Sequence, residues 1–156
     1  MDGRRTKHSP RLNRTPPWTV LLFAGLLAGC WQSNAGGLTG RPTDTPASFH
    51  FLGRSAPCHI ELPGVPRSVR VNCFHVDGAL HIHSNRFAHV PRLRGESWVN
   101  VVRRDPDVRV EINGRIYALT AIPIADESQR QALLLARGYW RAWDGITIFR
   151  FAKSSG

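Results

Sequence analysis

Hydrophobic and polar residues alternate with a period of two over residues 108–112. Val108, Val110 and Ile112 fall on one face there, and Arg109 and Glu111 on the other. Such alternation predicts a half-buried antiparallel strand. Asn113-Gly114 comes next, then a second strand over 115–124. That dipeptide favours a two-residue hairpin turn, because both positions take a positive φ. Asp77-Gly78 repeats the signal between strands predicted over 67–76 and 79–83. An earlier strand over 58–62 joins 67–76 through Pro63-Gly64-Val65-Pro66, and a last strand covers 146–151.

Two segments break the period of two. The segment 97–104 has Glu96 near its start and stops before Asp105-Pro106, so it reads as a short helix. The segment 126–137 carries acids first and Arg137 last, with Gly138 as its stop, and reads as a longer one. The order is β-β-β-α-β-β-α-β, without internal repeats. Tight hairpins without regular βαβ alternation predict a mainly β fold with flanking helices (α+β), built as a small antiparallel barrel.

The first residues read as an address. Arg4, Arg5, Lys7, Arg11 and Arg14 precede an apolar core of about ten residues starting at Trp18, and Leu27-Ala28-Gly29-Cys30 follows. A basic head, a short apolar core and small residues before a cut make a secretory signal peptide. Leu27-Ala28-Gly29-Cys30 also resembles the lipobox of bacterial lipoproteins, which implies that the Cys30 thiol is acylated and becomes the mature N-terminus. The apolar run is short for a hydrocarbon core about 30 Å thick. The remaining alternatives are an uncleaved signal anchor and an ordinary cleaved signal. Residues 1–29 are thus expected to be a lipoprotein signal peptide and 30–47 a flexible tether, rich in small and turn-forming residues. Residues 48–156 are expected to form the domain. The expected location is the cell membrane, lipid-anchored through Cys30 and facing outside the cytoplasm.

Composition refines this picture. The 156 residues carry 21 Lys+Arg against 11 Asp+Glu, a formal charge of +10, and all but Lys7 and Lys153 of the basic residues are Arg. Without residues 1–29 the balance falls to 16 basic and 10 acidic residues, or +6, so much of the charge belongs to targeting and nucleic acid is not an expected partner. A hydrophobic fraction of 42% excludes wholesale disorder, and 3 cysteines exclude a disulfide-stapled miniprotein.

Residues 69–126 resemble the split β-barrel group of flavin and deazaflavin proteins, the pyridoxamine-phosphate-oxidase-like superfamily, and most of all its deazaflavin-dependent nitroreductase-like branch. The matching segments are 76–84, 98–101, 105–110, 114–117 and 126–130. The resemblance implies a split β-barrel that holds FMN or a deazaflavin by its phosphate at the end of one strand and in the next loop. In this chain that stretch contributes Ser84, Asn85, Arg86, Arg92 and Arg94, with Arg67 and Arg70 on the preceding strand. Trp98 either stacks on the ligand ring or anchors its helix in the core. The Pro63-Gly64-Val65-Pro66 connection replaces the Gly-, Arg- and Ser-rich loop of many relatives, which leaves a barrel with no cofactor as the other expectation. Relatives often dimerise, so a homodimer is also implied.

Six histidines lie beyond residue 30. His81 and His83 share a strand face, and pairing across Asp77-Gly78 sets Phe74 opposite His81. The two supply part of a metal site if His89 joins them, or else face solvent; no metal is expected. With Cys30 acylated, Cys58 and Cys73 remain. A four-residue loop at 64–67 would place them directly opposite each other, close enough for a disulfide in an oxidising compartment. Two buried free thiols are the alternative.

The functional expectation is a membrane-anchored split-barrel protein binding a flavin- or deazaflavin-like cofactor, with reductase activity if the cofactor supplies hydride chemistry. The alternatives are a non-catalytic cell-envelope lipoprotein that binds a partner or small ligand, and an envelope protein whose +6 surface docks on anionic lipid or polymer. No nucleophile–base constellation or carboxylate pair marks a catalytic side chain.

Overall fold

Asp77 and Gly78 have φ of 50° and 76°, and Asn113 and Gly114 have 50° and 72°. Positive φ at both positions is the geometry that a two-residue hairpin turn needs to match the twist of its strands. The computed structural model, which describes residues 37–64, 67–88, 95–141 and 143–154, therefore contains both hairpins. The first joins β3 (Ser68–Val76) to β4 (Ala79–His83), and the second joins β5 (Asp107–Ile112) to β6 (Arg115–Pro123). Phe74 lies opposite His81 and Val76 opposite Ala79, the register that the Asp77-Gly78 turn dictates. The other elements are β1 (Arg41–Pro42), β2 (Ala56–Glu61), α1 (Trp98–Arg104), α2 (Glu127–Arg137) and β7 (Ile148–Lys153). Residues 1–36 with Cys30, and His89, Arg92 and Arg94, lie outside the described residues.

Six strands form a closed antiparallel barrel in the circular order β2-β3-β4-β7-β6-β5. Closure falls to β6, whose nine residues serve two partners. Residues from Arg115 to Thr120 pair with β5, and those from Leu119 to Pro123 pair with β7. Among the described residues the fold is thus mainly β with two α-helices. Alternation along the strands then sorts side chains into an interior and an exterior. Cys58, Ile60, Cys73, Leu80, Ile82, Val110 and Phe149 point inward, where Trp98, Val99 and Val102 of α1 join them. On the outer wall Phe74 and Ile148 pack under Leu133 and Leu134 of α2.

The domain extends further upstream than the expected boundary at residue 48. Arg41 and Thr43 donate backbone N–H groups to Gly114 and Ile116, and the Thr45 hydroxyl donates to the Ala118 carbonyl. Residues 41–45 are therefore bound to the free edge of β6 ahead of its pairing with β7, as a parallel strand and its continuation, and are not tether. The approach is close: a Cβ on Gly40 would lie 2.7 Å from the Gly114 carbonyl oxygen. Low-complexity sequence concealed this, because such a strap needs backbone groups and small residues, not a hydrophobic period.

Cys58 and Cys73 are bridged, with Cα atoms 6.0 Å apart. The register differs from the expected one. Cys58 lies opposite Val71, and Cys73 opposite Ala56, because Glu61 pairs with Ser68 and the connection is six residues long. Pro63 has no N–H to give to a ladder, and the last bond runs from Leu62 N–H to the Arg67 carbonyl. A slip of two residues preserves the face that each side chain occupies, so the cysteines meet diagonally inside the barrel.

The bridge closes a loop with a sequence separation of 15, which stabilises the fold by about 3 kcal/mol in the chain-entropy account. The Cys58→Ala/Cys73→Ala variant should lose roughly that amount, about 2–4 kcal/mol, in urea denaturation. A loss below about 1 kcal/mol would show that the barrel does not depend on the cross-link.

Candidate functional site

The β4–β7 pairing ends at His83 and Ile148, and the two chains beyond it stay together. Ser84 N–H donates to the Thr147 carbonyl at 2.8 Å. The Ser84 hydroxyl accepts from Thr147 N–H at 2.9 Å and donates to the Asn85 carbonyl at 3.0 Å. Asn85 then makes a local turn: its side-chain oxygen accepts from Phe87 N–H at 3.0 Å. This is the turn chemistry for which short amide side chains are selected. It leaves Arg86 and Phe87 exposed on one wall of an open groove.

The facing wall comes from the chain between α2 and β7. Asp126 caps the start of α2 by accepting from Gln129 N–H at 2.7 Å. The Ser128 hydroxyl, and after it the Gln129 N–H, hold the exposed Asp126 carboxyl below its ordinary pKa by donating to it. At the other end Gly138, with φ of 101°, takes the left-handed conformation. Gly138 N–H donates to Leu135 and Tyr139 N–H to Leu134, a Schellman stop that turns the chain sharply off the helix. Tyr139, Trp140, Arg141 and Trp143 follow.

Arg86, Phe87, Arg141, Trp143 and Asp144 line a groove of about 490 Å³. The Arg86 guanidinium carbon lies 4.5 Å from the Phe87 ring centroid and 5.7 Å from that of Trp143. Arg141 lies 3.9 Å from Trp143 and 4.8 Å from Trp140. Trp140 sits edge-on to Trp143 and is 74% exposed. Among the described residues neither guanidinium forms a salt bridge. Cations stacked on aromatic faces keep their outer donors free for an anion, and Arg presents them as a planar fork. The groove suits binding; among the described residues that line it, no nucleophile and base lie within hydrogen-bond reach.

Of the residues expected to hold a cofactor, Arg92 and Arg94 lie outside the described residues, and the others fall in different places. Arg86 lines the groove and Asn85 shapes its wall. Ser84 is buried, with its hydroxyl spent on Thr147 and Asn85. Trp98 is a core residue, 6% exposed and 5.9 Å from the Phe149 ring. Arg70 stands exposed on β3 opposite His59, and Arg67 donates to the Glu96 carbonyl; neither is among the lining residues. Phe87, Arg141 and Trp143 escaped the reading of the sequence. The signal available for Arg141 and Trp143 was aromatic density without any period between Gly138 and Gly145.

His81 and His83 share a face that is largely covered: His81 is buried and His83 half-buried. Phe74 stacks on His81 at 5.4 Å and lies 6.0 Å from His83, in the cluster beneath α2. Burial, the largest cause, holds both imidazoles below their ordinary pKa, against the opposing effect of carbonyl bonds from Ala79 and Ser84. Among the described residues no group of three or more His, Cys, Asp or Glu could hold a metal ion. No protein family model matches the chain, and no curated protein matches it.

Ser84→Ala leaves the Thr147 N–H without its side-chain acceptor and should cost about 1–3 kcal/mol. Arg86→Ala, on the exposed wall, should change stability by less than about 0.5 kcal/mol. Equilibrium denaturation of the two variants separates the structural residue from the groove residue.

Proposed function

We propose that this protein is a membrane-anchored binding barrel that takes a planar anionic ligand in the Arg86–Trp143 groove. The observation that carries the reading is the pair of guanidiniums, one from each wall, stacked on aromatic rings and free of salt bridges among the described residues. An aromatic ring system would lie against Trp143, and a phosphate or carboxylate would accept from the two guanidinium forks. A flavin- or deazaflavin-like molecule belongs to this class. The resemblance of residues 69–126 to the deazaflavin-dependent nitroreductase-like branch makes it the first candidate. Any hydride chemistry would belong to such a ligand, and this chain would bind and orient it. The lipobox-like Leu27-Ala28-Gly29-Cys30 supports acylation at Cys30 and display outside the cytoplasm.

A second reading, a non-catalytic envelope lipoprotein that binds a partner, draws on a specific observation. Ser84 and Trp98, two of the residues expected to serve a cofactor, are committed to the fold.

Titration with FMN, followed by flavin fluorescence, should saturate, and Arg86→Ala and Arg141→Ala should each weaken binding about tenfold. Riboflavin, which lacks the phosphate, should bind more weakly than FMN. If neither FMN nor a deazaflavin binds saturably, the cofactor reading falls and the partner reading replaces it. Protein purified from membranes should carry added acyl mass that Cys30→Ser lacks; an unacylated Cys30 would sink the anchoring.

A further inference from the structure

Behind the groove a side-chain pair, His83 and Tyr139, joins its two walls. His83, the last residue of β4, precedes the Ser84–Arg86 wall, and Tyr139 precedes the Trp140–Trp143 wall. The Tyr139 hydroxyl lies 3.4 Å from His83 Nε2, and the rings meet edge-on at 5.5 Å. His83 Nδ1 lies 2.9 Å from the Ser84 carbonyl oxygen. A carbonyl only accepts, so Nδ1 carries the proton and Nε2 presents its lone pair to the Tyr139 hydroxyl.

The surroundings disfavour a second proton on this ring. Arg137 of α2 stands 5.0 Å from the Tyr139 ring and 5.7 Å from the Phe74 ring, with its guanidinium donating to the Ser55 hydroxyl. It is the charged group that faces His83, and it opposes a positive imidazole there. Next along β4, His81 donates from Nδ1 to the Ala79 carbonyl at 3.0 Å. His81 lies opposite Arg150 of β7 and is influenced by Asp77 of the turn and His75 of β3. Asp77 favours the charged form of His81, while Arg150 and His75 oppose it. On β3, Phe74 lies against both rings and offers no charge.

We infer that His83 and Tyr139 form a proton-sensitive clasp that holds the Trp140–Trp143 wall against the Arg86 wall, so that acidification releases the wall and weakens binding in the groove. The binding half of this inference rests on the ligand reading above; the release of the wall does not. Protonated His83 would have to donate to Tyr139 while sharing buried aromatic surface with Arg137. Moving the 139–143 segment away returns the imidazolium to water. The sign follows from burial, which holds the imidazoles below their ordinary value of 6.5 in the closed state. The closed arrangement is fully favoured above that value and loses ground as pH falls from it toward the lowered pKa.

The full-length protein provides the test. Hydrogen exchange of residues 138–145, corrected for the intrinsic rate, should rise about five- to tenfold between about pH 7.5 and about pH 5. The same segment in His83→Gln, which keeps a neutral polar group, should lose most of that dependence. Tyr139→Phe should loosen the segment already at the higher pH. FMN affinity should fall over the same range in the native protein. Exchange that stays flat with pH in the native protein overturns the clasp, whatever the variants do, and so does a dependence retained in full by His83→Gln. If the wall responds to pH while FMN fails to bind at any pH, the clasp stands and the ligand reading falls.

Discussion

The pairing of β6 with β7 is the constraint on which the rest of this structure depends. Without it the strands would form an open sheet with two long unpaired edges, the arrangement that natural proteins suppress. With it, inside and outside are defined for every strand, and the Cys58–Cys73 bridge and the α1 residues have an interior to fill. The last strand of the chain becomes the wedge between β4 and β6. The strap at Arg41–Pro42 covers the stretch of β6 edge that β7 leaves open. The β4–β7 pairing brings the loop after β4 and the loop before β7 side by side, so the groove lies at the end of that ladder.

Local chemistry was legible in the sequence. Asp77-Gly78 and Asn113-Gly114 specify their hairpins because the conformations they need are rare for other residues. Gly138 ends α2 for the same reason. The cysteine pairing could be read despite a slipped register, since a displacement of two residues leaves a side chain on the same face. The strap at 41–45 could not be read, because it rests on backbone hydrogen bonds and a close approach at Gly40. The covering of His81 and His83 was hidden in another way. Histidine suits a wet face and a packed one equally, and only the descent of α2 onto Phe74 decides between them.

The residues expected to bind a cofactor divide along the same line. Ser84, Asn85, Arg86 and Trp98 have the right chemistry for an anion or a ring, but residue type does not reveal whether a hydroxyl or an indole is already in use. The β4–β7 ladder claims the Ser84 hydroxyl, and the barrel interior claims Trp98. Arg86 keeps its donors because the Asn85 turn points it outward. Its partners Arg141 and Trp143 lie more than fifty residues later in the chain, so their meeting depends on a non-local pairing that no local pattern encodes.

His83 is where these levels meet. Its backbone belongs to the ladder with Ile148, one ring nitrogen is bound to the chain of the first wall, and the other reaches the second wall through Tyr139. A residue that shares its groups in this way couples the end of the barrel to the width of the groove. Its neutral form satisfies all three roles at once. A charged form strains the contact with the second wall first, because there the partner must reverse its hydrogen bond beside Arg137. The barrel ladder holds with main-chain bonds that titration does not touch, so the mobile response to a proton falls on the groove wall and not on the fold.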